Sequence, residues 1–253
     1  MPDGPTRQFL ANCDHGRTSG DPTGVAAAWP ENEGEVSAPE ATDRQALSRS
    51  QPIKPRRWPR TERRQARIRS VLARRQPDLT VVLENVHDPH NVSAILRSCD
   101  AVGVLRAHAV YTIEEPPSGA FARQTSASAS KWVDVERHQS LADCFQRLRA
   151  EGFSILVTSV GPNSRSLYEW DLRAPVALVL GNEMRGVSME AQDGSDGAIQ
   201  IPMAGMVESL NVSVACAVCL YEAFRQRIAA GDYELPKLDP DHMRALEEEW
   251  LLR

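Results

Sequence analysis

The chain has 253 residues, 42% of them hydrophobic and 25% charged, which is enough apolar material for one sizeable core with appendages. No run of eighteen apolar residues occurs, and no basic stretch leads into an apolar one at the N-terminus, so neither a membrane span nor a secretory leader is expected. The net charge of −5 hides an asymmetry: residues 54–75, "KPRRWPRTERRQARIRSVLARR", carry ten Lys and Arg against Glu62 alone. A cationic segment beside an otherwise acidic chain is the pattern of a polyanion-binding arm.

Residues 1–53 are rich in Gly, Pro, Ser and acids and show no sustained period, which reads as a disordered leader. From Thr61 a helical pattern sets in, with Ile68, Val71 and Leu72 on one side and arginines on the others, until Pro77 ends it. Arg63, Arg64, Arg67, Arg74 and Arg75 are the candidate RNA contacts of this 54–78 arm. Beyond it, strands and helices alternate. Strands are expected at Leu79–Leu83, Ala107–Tyr111, Lys131–Val135, Phe153–Thr158, Val176–Leu180 and Ala198–Ile201. Helices are expected at Val92–Val102, Leu141–Glu151 and Val212–Ala229. Such alternation implies an α/β domain, here 79–229, with a largely parallel sheet. After Pro236 and Pro240, a 230–253 extension forms an acidic helix with Met243, Leu246 and Trp250 on one face, expected to pack near the basic one.

The five cysteines are an odd number in mostly apolar surroundings, which speaks against a disulfide framework and for a reducing, cytoplasmic setting. Cys216 and Cys219 form a C-x-x-C without a second pair nearby and read as small buried hydrophobes. His87, Asp88 and His90 lack further ligands, and no metal site is expected.

Three polar clusters interrupt the pattern, each at the C-terminal end of an expected strand, the edge where open α/β sheets bind ligands. In "ENVHDPHNVSAILRSCDAVGV", residues 84–104, Asn91 is either an N-cap or a functional amide, and Arg97 is either paired with Asp100 or functional. In "VALVLGNEMRGVS", residues 176–188, Gly181 and Gly186 permit tight turns around Glu183. In "IPMAGMVESLNVSVACAVCLYEAF", residues 201–224, Ser209 or Asn211 caps a helix that is apolar nearly all round. Neither G-x-G-x-x-G nor a Walker A motif is present.

"HNVSAILRSCDAVGV", "LGNEMRGVS" and "IPMAGMVESLNVSVACAVCLYEA", in this order, resemble the three motifs of the SpoU/TrmH family of SPOUT methyltransferases. The likeness runs from about Thr61 to the C-terminus and is greatest to members that methylate the 2'-oxygen of guanosine 18 in tRNA. It implies a SPOUT-type α/β-knot, a deep trefoil in a mostly parallel sheet with flanking N- and C-terminal helices, and a homodimer. It also implies S-adenosyl-L-methionine held by Thr158, Ile201 and Leu210 with Gly181 close by. Asn91, Arg97, Glu183, Ser209 and Asn211 fall on the family's catalytic positions, with Arg97 as activator of the ribose hydroxyl. A ribosomal-RNA substrate, or a non-catalytic RNA-binding assembly factor, are the alternatives. The long acidic leader departs from the tRNA-type pattern.

Overall fold

The computed structural model describes residues 62–116 and 131–253. The expected leader, 1–53, and the first part of the basic arm lie outside the described residues. The described chain runs α1 (Glu62–Leu72), β1 (Leu79–Glu84), α2 (Pro89–Val102), β2 (Arg106–Val110), β3 (Asp134–His138), α3 (Leu141–Ala150), β4 (Ser154–Thr158) and β5 (Arg165–Ser166). It continues through β6 (Val176–Leu180), α4 (Met189–Asp193), β7 (Gly197–Gln200), α5 (Val212–Ala229) and α6 (Pro240–Trp250). One seven-stranded sheet has the order β3-β2-β1-β6-β4-β7-β5, and every neighbouring pair is parallel.

The central strands are apolar without alternation because both sheet faces are covered. Leu79, Val81 and Leu83 of β1 and Leu178 and Leu180 of β6 pack with Val92, Ile95 and Leu96 of α2 and with Cys216, Cys219 and Leu220 of α5. Val82, Ala177 and Val179 point the other way, into a second cluster with Leu141, Cys144, Phe145 and Leu148 of α3 and Ala191 of α4. The expected strand at 131–135 is instead Asp134–His138. Its sequence, "DVERH", is charged and half exposed, as suits an edge strand, so hydrophobicity did not mark it. Trp132, inside the expected range, instead stacks on Trp250 with ring centroids 5.0 Å apart.

Helices α1 and α6 close a third cluster of Ile68, Leu72, Leu105, Leu238, Leu246 and Trp250. The expected pairing of the basic and acidic helices is present: Glu247 accepts from Arg69 Nε at 2.7 Å and from Gln65 Nε2 at 2.9 Å. One expectation for the arm is overturned here. Arg75 has no exposed side-chain surface. Its guanidinium donates to Asp100 Oδ1 at 2.6 Å, to the Val104 carbonyl at 3.0 Å and to the Trp132 carbonyl at 3.2 Å, and stacks over Trp250 at 5.0 Å. Arg75 is thus a structural cation and has no surface for RNA; Arg63, Arg64, Arg67 and Arg74 remain exposed.

Trp250→Ala should therefore cost about 3–5 kcal/mol, the range for removing a large buried aromatic. Urea unfolding at neutral pH checks this. A loss under about 1 kcal/mol would mean that α6 merely lies on the surface.

Candidate active site

Because every strand is parallel, all strand C-termini reach one edge, and the three polar clusters are carried there together. Leu83 of β1 lies opposite Leu180 of β6, so the loops that follow them, 85–88 and 181–188, start side by side. Asn85 opens the first loop with φ of 53°, a left-handed conformation that Asn tolerates better than most residues. Its Oδ1 accepts from the backbone N–H groups of Thr112, Ile113 and Glu114, and its carbonyl accepts from Asn182 Nδ2 at 2.9 Å.

The second loop folds back on itself. Asn182 and Gly186 exchange backbone hydrogen bonds of 3.0 and 2.8 Å, while Asn182 Oδ1 accepts from the N–H groups of Met184 and Arg185. Both glycines are needed. A Cβ on Gly181 would lie 2.1 Å from the Gly186 carbonyl carbon, and Gly186 itself has φ of 68°. This turn presents Glu183.

Glu183 is the meeting point of the clusters. Its Oε1 accepts from Asn91 Nδ2 at 3.0 Å and from the Asp88 N–H at 3.3 Å, while Oε2 lies 3.4 Å from His87 Nδ1. Oε2 is buried and makes no hydrogen bond. Burial alone would raise this carboxyl, but the Asn91 amide, the backbone donors and the adjacent His87 outweigh it and hold the group below its ordinary 4.5. Asn91 Oδ1 in turn accepts from Asn211 Nδ2 at 3.1 Å. Asn211 is the N-cap of α5, its Oδ1 accepting from the Ser213 N–H at 2.9 Å and from Ser213 Oγ at 2.6 Å. Three of the expected catalytic residues thus form one chain, Asn211 to Asn91 to Glu183. Asn91 is not the cap of its helix. That role falls to Asp88, which accepts from the His90 N–H, with Pro89 in the first turn where its missing donor costs nothing.

Beside this chain opens a cavity of about 650 Å³, within the span usual for small-molecule sites. Thr158, Gly181, Ile201 and Leu210 line it, as do Glu183, Ser209 and Asn211. The walls combine apolar Ile199, Ile201, Leu210 and Val212 with the polar groups of Thr158, Ser159 and Asn182. That set can enclose a flat heterocycle and leave loop backbone to fix its edges. Arg97 does not line the cavity. It stands exposed on α2, six residues and so about one and two-thirds turns beyond Asn91, and makes no hydrogen bond or ion pair among the described residues. Asp100, the partner that spacing offered, is held by Arg75. Sequence reasoning passed over Asn85 and Asn182. The visible signal was an Asn directly after, or one residue beyond, the end of an apolar strand.

Residues 78–221 match the family model described as the SpoU rRNA Methylase family. The chain belongs to this SpoU family. A tRNA (guanosine(18)-2'-O)-methyltransferase from Thermus thermophilus is 52% identical over 192 residues, covering 76% of this chain and 97% of that one. Its namesake from Escherichia coli is 48% identical, covering 67% and 73%. Among solved structures, the Aquifex aeolicus TrmH/SpoU tRNA modifying enzyme superposes with a TM-score of 0.68 at 38% identity, over 76% of this chain and 96% of that one. The SpoU methyltransferase AviRb of Streptomyces viridochromogenes, solved in complex with AdoMet, gives 0.51 at 27% identity, over 62% and 59%.

The folded-state depression of Glu183 carries a sign. Its hydrogen bonds stabilise the fold above the ordinary carboxylate value of 4.5 and are lost as pH falls through the lower folded value. Thermal midpoints of the wild type and Glu183→Gln should differ at pH 6 and converge only once the pH has fallen through the depressed folded-state value of Glu183, where both side chains are neutral. A difference that persists unchanged into acid would locate the effect in packing instead of charge.

Proposed function

We propose that this SpoU-family chain transfers a methyl group from S-adenosyl-L-methionine to the ribose 2'-oxygen of a guanosine in tRNA, guanosine 18 of the D-loop, in the cytoplasm. The observation that carries the reading is the convergence of three distant segments on one cavity with the Asn211–Asn91–Glu183 chain at its side. The names of the bacterial relatives support the substrate. Thr158, Gly181, Ile201 and Leu210 hold the cofactor, which supplies a methyl group already activated on a sulfonium. The protein's own task is then to orient a hydroxyl and exclude water.

Asn91 and Asn211 do this by fixing Glu183, whose second oxygen remains an acceptor for the incoming nucleotide, while Ser209 shapes the cavity mouth. A guanidinium is a very poor base, so Arg97 is not the proton acceptor. It serves as a clamp on the adjacent phosphate and lowers the hydroxyl's pKa through its charge. The loops around the cavity belong to a trefoil knot. A second copy of the chain docks on α5, where Val214, Tyr221 and Ile228, spaced seven apart and each about half exposed, form one apolar stripe. Arg63 and Arg67, four residues apart on α1, with Arg64 and Arg74, bind tRNA phosphates.

With labelled S-adenosylmethionine and tRNA transcripts, the wild type should label guanosine 18, mapped by nuclease digestion and mass spectrometry. Arg97→Ala should lose at least about 100-fold in turnover while cofactor affinity stays within a factor of two. Tyr221→Glu should halve the mass in sedimentation and abolish transfer. Label found in ribosomal RNA and not tRNA would reject the substrate; label in neither would reject the enzyme.

Binding to the arm has its own signature. With four arginines on phosphates, log affinity should fall against log salt with a slope of roughly −3 to −4. Arg63→Ala, Arg64→Ala and Arg67→Ala combined should flatten that slope by about two to three and leave the heat of cofactor binding unchanged. Loss of cofactor binding would assign α1 to folding.

A further inference from the structure

The methyl-transfer site lies at the C-terminal edge of the central strands, with α2 and α5 behind it. A different group of side chains gathers on the opposite face, at the edge formed by β2 and β3. Those strands run parallel with Val110 opposite His138 and His108 opposite Glu136. Alternation sets His108, Glu136 and His138 on one face, the face that α3 covers. His108 Nδ1 and His138 Nε2 are 2.9 Å apart, with ring centroids at 5.1 Å and planes tilted by 36°. Ser140 caps α3 two residues after His138, and this tight strand-to-helix turn swings Cys144 of the first helical turn back over the imidazoles. One ring nitrogen from each histidine and the Cys144 sulfur all lie within 4.8 Å of one another.

The geometry points to a divalent transition-metal site of the zinc type, with His108, His138 and Cys144 as ligands and a fourth position open to water on the half-exposed side of His138. Two imidazoles and a thiolate are the donor set that borderline-soft cations prefer. Zinc bonds of about 2.0–2.1 Å to nitrogen and 2.3 Å to sulfur keep tetrahedral ligand atoms roughly 3.3–3.6 Å apart. The ring nitrogens therefore need to part by only a few tenths of an ångström.

The thiol is the group that must change. Binding replaces its S–H proton with the metal and releases that proton to solvent. Glu136, on the same face, is engaged by Arg106 at 3.3 Å and Arg147 at 3.2 Å, and those two cations offset its charge beside the site. A bound ion would tie the charged edge strand β3 to β2 and to α3, the place where the sheet has least apolar packing to hold it.

The test uses the full chain without a histidine tag, in the Cys13→Ser background, so that this thiol is not a competing ligand. Cobalt(II) titration should give one equivalent per chain, with a sulfur-to-cobalt charge-transfer band in the near ultraviolet and visible bands of tetrahedral strength. Cys144→Ser should remove the charge-transfer band, and His138→Gln should weaken cobalt and zinc binding at least about tenfold. Excess zinc should raise the thermal midpoint of the parent and not of either variant. Binding of S-adenosylmethionine by both variants reports that they are folded. A charge-transfer band that survives in Cys144→Ser, or no band in the parent, would overturn the proposal and leave the histidines as a hydrogen-bonded pair.

Discussion

A carboxylate withdrawn from water has to be met by donors, and the Glu183 side chain is only 19% exposed. Its donors come from the Asp88–Asn91 segment, with Asn91 92 positions away in sequence. Asn91 can give its amide N–H to Glu183 in the right orientation because its own carbonyl is held by Asn211, 120 positions further on. Each link has one geometry that satisfies it. Closing the chain therefore demands that the first turn of α2, the 181–188 loop and the start of α5 arrive at the same edge together. The parallel pairing of β1 with β6 meets that demand, since it starts the first two loops from adjacent strand ends.

The third loop needs a different anchor, and α5 provides it at both ends. At its start, Asn211 serves as cap and as partner of Asn91, so the helix cannot begin elsewhere without breaking the network. Near its end, the fully buried Arg227 donates to the carbonyls of Leu172, Asp78 and Ala174, to Gln76 Oε1 and to Asp78 Oδ1. Those acceptors sit at the N-terminal ends of β1 and β6, the edge opposite the cavity. Lys237 joins Asp78 at 2.7 Å; although burial would raise that carboxyl, the two cations hold it below its usual range. Removing either partner from such a buried set leaves the other uncompensated, which costs far more than an exposed ion pair contributes. The helix is a strut between the two edges of the sheet, and its apolar, small-residue sequence follows from lying against α2 along the way.

What could be read in the sequence followed the reach of the signal. The β6 run "VALVL" and the helix Val212–Ala229 were visible as written, because burial on both faces or nearly all round leaves an unbroken apolar record. The edge strand "DVERH" left none, and its start was expected three residues early, at Lys131. Asn91 and Asp88 are both good caps by type, and only the turn at Pro89 decides between them. The arginines show the limit most clearly. Arg74 and Arg75 are adjacent and identical in kind, yet one is on the surface and the other is sealed. Asp100 and Trp132, which capture Arg75, lie 25 and 57 residues away, and no local pattern encodes their arrival. The cavity-lining residues were legible only through the resemblance of whole motifs, because a ligand pocket made of loop backbone has no periodicity.

The capture of Arg75 also bears on Arg97. On an isolated helix, Asp100 would sit three residues beyond Arg97 and draw its guanidinium down onto the surface. In the folded chain Asp100 is turned toward Arg75 and its charge is spent there. Arg97 is left exposed on α2 with no carboxylate of its own among the described residues. An uncompensated cation is a poor stabiliser of the fold and a good receptor for phosphate, whose oxygens match the guanidinium fork in pairs. The same feature argues against Arg97 as a proton acceptor. A guanidinium is in general a very poor proton acceptor and an excellent partner for phosphate oxygens. In the reaction proposed above, the charge of Arg97 would hold the nucleotide's phosphate.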